Sequence, residues 1–340
     1  MQKTLFISIT LFLIWGYCYC NSHEEKENTG TNKPDETVYT NPVVNYSLPD
    51  PSIIKAGDGY FYLYATEDIR HLPVHKSKNL VNWEFVGTAF THNTRPAFEP
   101  KGALWAPDIN CINGKYVIYY SMSVWGGEWT CGIGIATSDS PAGPFTDNGK
   151  LFRSNEIDVQ NSIDPFYIED GNKKYLFWGS FRGIYAIELS DDGFAIKDGA
   201  QKRQIAGTAY EGVYIFPKDG YYYLFASIGT CCEGINSTYT TVVGRSKNLF
   251  GPYLDKLGND MMNNRHEIFI KGNNRFVGTG HNSEIVFDHN NNSWILYHAI
   301  DKNNPKGRVL LLSQVIWEDG FPKVENSSPG ISGMKKPVFE

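Results

Sequence analysis

The chain has 340 residues, a net charge of −6 and no basic cluster, which argues against nucleic acid as a partner. Its apolar content of 41% is enough to bury a sizeable core. Aromatic residues make up 14% of the chain, a high share that suits pleated sheets packed face to face and also suits stacking on sugar rings.

The first 20 residues, "MQKTLFISITLFLIWGYCYC", place Lys3 ahead of an apolar run. This is the layout of an export signal, too short for a membrane span. Cys18 and Cys20 at its end raise a lipoprotein reading, although the bulky residues before them fit a small-residue cleavage site poorly. Cys20 is the better-placed acceptor, because the polar tail starts directly after it. An exported, periplasmic or cell-surface protein is expected, touching a membrane only through such an anchor. Residues 21–37 are polar, charged and free of aromatics, and read as a flexible tether. Residues 38–340 are expected to form one domain, with a monomer as the assembly. Four cysteines remain there: Cys111 with Cys131 and an adjacent Cys231–Cys232 bridge are both open, as are free thiols.

One unit recurs along that domain. "PDPSIIKAGDGYFYLYAT", "APDINCINGKYVIYYSMS", "IDPFYIEDGNKKYLFWGS", "YEGVYIFPKDGYYYLFAS" and "GHNSEIVFDHNNNSWILYHA" each show a polar residue, a short apolar strand, a Gly- or Asn-bearing turn and an aromatic strand. The polar heads are Asp50, Asp108, Asp164, Glu211 and His281. Outer hairpins are expected after each aromatic strand, as in "HKSKNLVNWEFVG" and "GRSKNLFGPYLDKLG". No stretch holds a helical period. Four-stranded units repeated at this spacing predict an all-β, five-bladed β-propeller. The heads of the inner strands then converge at the mouth of a central channel. Asp50 alone reads as a turn residue before Pro51. As one of a ring of acids it reads as chemistry, because clustered carboxylates raise each other's pKa and need a cation, a shared proton or a catalytic task.

These motifs, with "WAPDI", "GSFRGI", "STYTTVVGRSKNLFGPYLDKLG" and "GTGHNSEIVFD", resemble glycoside hydrolase family 43, most closely its endo-1,5-α-L-arabinanase branch, over about residues 45–320. The resemblance implies a propeller that cuts α-1,5-linked L-arabinofuranosyl bonds of plant cell-wall arabinan or arabino-oligosaccharides with inversion. Asp50 would be the general base, Glu211 the general acid and Asp164 the modulator of its pKa, with base and acid about 6.5–9.5 Å apart to admit a water. His281 would help hold a hydrated calcium ion. Trp105 and Phe181 would line the sugar cleft, and Asn161 and Ser180 would hydrogen-bond the first sugar. Asp108 matches the repeat but no catalytic role, and is expected to be structural. The chain departs from the pattern at Pro49, where many arabinanases have His, and in "EGVY", where Ala-Pro often follows the Glu. Both leave the carboxylates intact and leave linkage and endo or exo preference open.

Two other readings stand beside this one. An exo-acting α-L-arabinofuranosidase or β-xylosidase uses the same scaffold, the loops at 67–75 and 91–104 deciding whether the cleft is open. A non-catalytic glycan-binding propeller needs no such acid triad. For the "WGGEW" loop at 125–129, a sugar-facing rim and a plain surface loop are equally open.

Overall fold

A computed structural model of the chain describes residues 37–339. The expected export signal, Cys18, Cys20 and nearly all of the tether lie outside the described residues. The described chain is all-β: one four-residue helix, Ser154–Ile157, and three 3-10 turns are its only helical segments.

Each repeat opens as an antiparallel hairpin. Ser52–Lys55 pairs with Phe61–Tyr64, Ile53 opposite Leu63. Asp58 shapes the turn between them, its carboxylate accepting from the Tyr60 N–H (3.0 Å) and the Tyr62 hydroxyl (2.8 Å). Pro73–Ser77 and Glu84–Thr88 complete a four-stranded sheet. The same order recurs in Ala103–Ile112, Lys115–Ser123, Gly132–Ser138 and Thr146–Arg153, and again in Phe166–Asp170, Lys173–Trp178, Ile184–Glu188 and Arg203–Ala206. The fourth and fifth repeats form a nine-stranded sheet. Its halves, Glu211–Ile270 and Phe276–Lys323, join through one parallel pairing, Thr240 with Thr279. The outermost strands of the third and fourth repeats, Arg203–Ala206 and Glu267–Ile270, fall beyond the short hairpins expected there. Longer loops intervene, held by isolated bridges such as Leu189 with Ile196 and Arg245 with Leu254.

The aromatic second strands are buried on both faces, so their period-2 alternation feeds two cores. Tyr62 and Tyr64 pack with Ile118 and Tyr120. Phe61 and Leu63 pack with Trp294 and Leu296. Tyr119 packs with Leu176 and Trp178, while Tyr175 and Phe177 join Tyr214 and Phe225. First and last repeats thus share a core. The chain ends reinforce it: Val38–Thr40 pairs with Ser332–Lys335, and the Tyr39 hydroxyl donates to the Leu312 carbonyl (2.9 Å).

A second ring of bonds lies at the strand heads. One residue there takes a left-handed conformation in every repeat: Asp50 (φ 55°), Ala106 (φ 40°), Asp164 (φ 59°), Gly212 (φ 62°) and His281 (φ 45°). Non-glycine residues rarely adopt it, and it persists where surroundings impose it. Here the N–H of such a residue donates to the preceding repeat. Ala106 N–H reaches Thr66 Oγ1 (2.8 Å), Asp164 N–H reaches Ser121 Oγ (2.8 Å) and His281 N–H reaches Ser227 Oγ (2.9 Å). Gly212 N–H reaches Asp164 Oδ2 (3.1 Å), and Asp50 N–H reaches His298 Nδ1 (3.2 Å) from the last repeat. The hydroxyls that end the aromatic strands therefore stitch neighbouring sheets together.

Candidate active site

The strand heads open into a cleft of about 600 Å³. Asp50, Asp164 and Glu211 all line it, as do Trp105, Asn161, Ser180, Phe181 and His281. Every site residue expected from sequence is therefore brought to one place. Asp108 is not there. Ala106 is the true counterpart of Asp50, and a bulge between Trp105 and Asp108 carries Asp108 along its strand, away from the cleft. It is buried and accepts from the Tyr167 N–H (2.8 Å) and the Asn110 amide (2.7 Å), a structural role as expected.

Asp50 is 7% exposed. Its Oδ1 lies 3.0 Å from the Arg308 guanidinium, 3.4 Å from His281 Nδ1 and 3.2 Å from His298 Nδ1. Its Oδ2 accepts from the Thr66 hydroxyl (2.6 Å). Burial pushes this carboxyl up, but Arg308, His281 and His298 outweigh burial and hold it well below the ordinary carboxylate range. It is an anion at any working pH.

Glu211, 8% exposed, meets the opposite environment. Burial raises its pKa, the bonds from Ser180 and Tyr239 pull it down, the Asp50 charge pushes it up, and the net direction is upward. Ser180 Oγ donates to Glu211 Oε2 (2.6 Å) and accepts from the Asn161 amide (2.9 Å). The Ser180 hydroxyl is thus already engaged with the carboxylate, with Asn161 behind it. Asp164, 6% exposed, is also raised, by burial first and then by Glu211 and Asp50. It accepts from Gly212 N–H, the residue after Glu211, so it is tied to the backbone that carries Glu211. A Cβ on Gly212 would stand 3.1 Å from the His281 ring, so a side chain there would have to push that ring aside.

Four supporting residues were not found from sequence. Thr66 and Arg308 hold Asp50; Tyr239 bonds to Glu211; His298 backs Asp50. The Tyr239 and His298 rings stack with centroids 5.5 Å apart and planes 7° apart, tying the two carboxylates to one support. A Cβ on Gly280 would fall 2.1 Å from Tyr239 Cδ1, so glycine is needed for the ring to sit there. The repeat pattern could have flagged His298, which ends the fifth aromatic strand where the first, second and fourth repeats carry Thr66, Ser121 and Ser227. Arg308 had no signal, being one charged residue before a strand.

The "WGGEW" loop proves to be rim: Trp125 to Glu128 line the cleft, and Trp125 is 82% exposed. Its ring meets Trp105 edge-on at 6.4 Å. Of the two bridges left open, Cys231–Cys232 is formed and Cys111–Cys131 is not.

Burial lowers the pKa of the expected metal ligand, His281, Asp50 raises it and Arg308 lowers it again, for a net fall that favours the neutral ring. A neutral imidazole can coordinate. Among the described residues, however, no group of three or more His, Cys, Asp or Glu side chains is placed to hold an ion. The donor set fits only a cation that keeps most of its water.

The sequence model of Glycosyl hydrolases family 43 matches residues 39–322. The extracellular endo-alpha-(1->5)-L-arabinanase 1 of Bacillus subtilis (strain 168) is 36% identical, covering 82% of this chain and 88% of the relative. The extracellular exo-alpha-(1->5)-L-arabinofuranosidase ArbA of Cellvibrio japonicus is 35% identical, covering 81% and 86%. Among solved structures, a Cellvibrio cellulosa alpha-L-arabinanase complexed with arabinohexaose superposes with a TM-score of 0.75 at 32% identity, covering 82% of this chain and 96% of that one. Fold, cleft and matched length agree: the chain belongs to glycosyl hydrolase family 43 and is a glycoside hydrolase.

Proposed function

We propose that this enzyme hydrolyses α-1,5-linked L-arabinofuranosyl bonds within arabinan, with inversion, on a five-bladed propeller. The ring of inter-repeat bonds and the core shared by first and last repeats support the five blades. The observation that carries the chemistry is the divergence of two carboxyl environments in one cleft. Asp50 is held as an anion, while Glu211 is pushed towards its protonated form.

In this mechanism Asp50 takes a proton from water as that water attacks C1 of the arabinosyl unit. The C1–O5 bond breaks, and Glu211 gives its proton to the departing O5. A low pKa keeps Asp50 ionised at the cost of basicity. Asp164 modulates Glu211 through the backbone it holds at Gly212, while burial, Glu211 and Asp50 push its own pKa up. Trp105 and Phe181 line the path of the sugar, and Asn161 and Ser180, which hydrogen-bond the first sugar in this reading, also keep Glu211 aimed. His281 would hold a water-coordinated Ca²⁺ that orders the channel, and no proton transfer runs through it. Chelation with EDTA is expected to lower the melting temperature and kcat together, with Ca²⁺ restoring both; unchanged values would remove the ion.

Internal attack is favoured by the two loops that were to decide the cleft's shape. Glu67 and Arg95 form an ion pair, and Arg95 also donates to the Gly102 carbonyl (2.7 Å), tying the loops to each other. From both loops only Asp68 reaches the cleft lining. Digestion of linear arabinan should therefore give a ladder of oligosaccharides early on. Arabinose or a single short product from the start would reassign the enzyme as exo-acting. The residue 1–20 pattern and the extracellular relatives support export; finding the protein in the cytosolic fraction of its cells would refute it.

A further inference from the structure

One feature of the cleft is unused by this mechanism: the bridge between adjacent residues Cys231 and Cys232. Both line the same cleft as the carboxylates. Their loop leaves the strand Tyr221–Ile228 just after Ser227, which holds His281, and re-enters the strand Thr240–Ser246 through Tyr239, which holds Glu211. A clamp closes its base. Thr238 N–H and Tyr239 N–H both donate to the Thr230 carbonyl (3.1 and 3.0 Å), and Thr230 N–H donates to Thr238 Oγ1 (3.0 Å). The bridge follows directly, and the Glu233 N–H beyond it is fixed to Ser237 Oγ (3.0 Å).

Stability does not explain the bridge. A cross-link gains from the chain entropy it removes, and that gain is smallest for the shortest loop. Adjacent cysteines close the shortest loop there is. What the bridge does is remove two thiol donors and freeze a dipeptide into a small, polarisable, apolar surface at the mouth of a polar cleft. Cys231 is half-buried and Cys232 exposed, so that surface faces the cleft rather than the core.

We propose that the Cys231–Cys232 disulfide is a substrate-contacting platform, packing against the apolar face of an arabinofuranosyl unit held away from the bond being cut. It rests on the arabinan reading above and deepens it. A rigid platform contributes to binding without an ordering cost on the protein side. Its loss then raises KM and leaves the chemical step nearly intact.

The test compares wild type with the Cys231→Ser/Cys232→Ser double variant on linear arabinan and on arabino-oligosaccharides of increasing length, with melting temperatures alongside. The expected result is a KM raised about five-fold on the longer substrates, kcat within two-fold, and little change in melting. Unchanged KM overturns the platform. So does a fall in kcat at constant KM, which would make the bridge a brace for Tyr239. Wild type reduced with a phosphine, then reoxidised, is measured in the same way. It should lose and regain affinity, and it decides the matter if the double variant does not fold. Failure of wild type to cut arabinan is a different result: it withdraws the substrate reading, and this inference with it.

Discussion

Glu211→Gln is expected to lower kcat on linear arabinan by about 10²–10⁴-fold, the usual worth of a positioned general acid. The amide keeps the shape and can still accept from Ser180, so the fold should survive. The loss should shrink on an aryl arabinofuranoside whose phenol departs without protonation. Stability moves in the other direction. Glu211's folded pKa is raised, so its contribution is fully present below the ordinary glutamate value and is lost as pH rises through the folded one. Gln never ionises, and the variant should gain in melting temperature relative to wild type on the alkaline side. Retained turnover on arabinan, or an equal loss on both substrates, would take the acid's role from Glu211.

Asp50→Asn is expected to cost a comparable 10²–10⁴-fold in kcat, roughly independent of the leaving group, because the water rather than the departing oxygen loses its partner. Here stability falls too. Arg308 loses its carboxylate in a buried setting, and breaking such a pair typically costs about 3–5 kcal/mol. The sign follows from the depressed folded pKa of Asp50. The contribution is full above the unfolded value and disappears as pH drops through the folded one, so wild type and variant should converge in acid. An Asp50→Asn/Arg308→Met double variant should recover much of the stability and none of the turnover. Recovery of activity in that double variant would show that Asp50 serves the fold rather than the water.

Much of this site is legible in the sequence because the repeat is written in short range. The polar head, the turn and the aromatic strand lie within about twenty residues of one another, and heads of successive inner strands must meet if the sheets pack in a ring. That is why Asp50, Asp164, Glu211 and His281 could be assembled on paper. The Asp108 offset shows the limit. One bulge shifts a strand by a residue or two, and only backbone geometry reveals that Ala106 occupies the left-handed position. Arg308 and Thr66 were invisible for another reason. Their roles come from cross-repeat contacts, Arg308 reaching a residue 258 positions away, and no local pattern encodes such a partner. The wide third- and fourth-repeat loops escaped because edge strands there pair across long insertions, where alternation of polar and apolar residues is weak.

The central claim is a single displacement by water, with Asp50 as base and Glu211 as acid. Proton NMR of the first products from an α-linked arabinan oligosaccharide tests it most directly. Inversion predicts that the β-anomer appears first and that the α-anomer grows in only by mutarotation. The α-anomer appearing first would mean retention, a covalent glycosyl intermediate and a nucleophile in place of the base, and the assignment of Asp50 would fall.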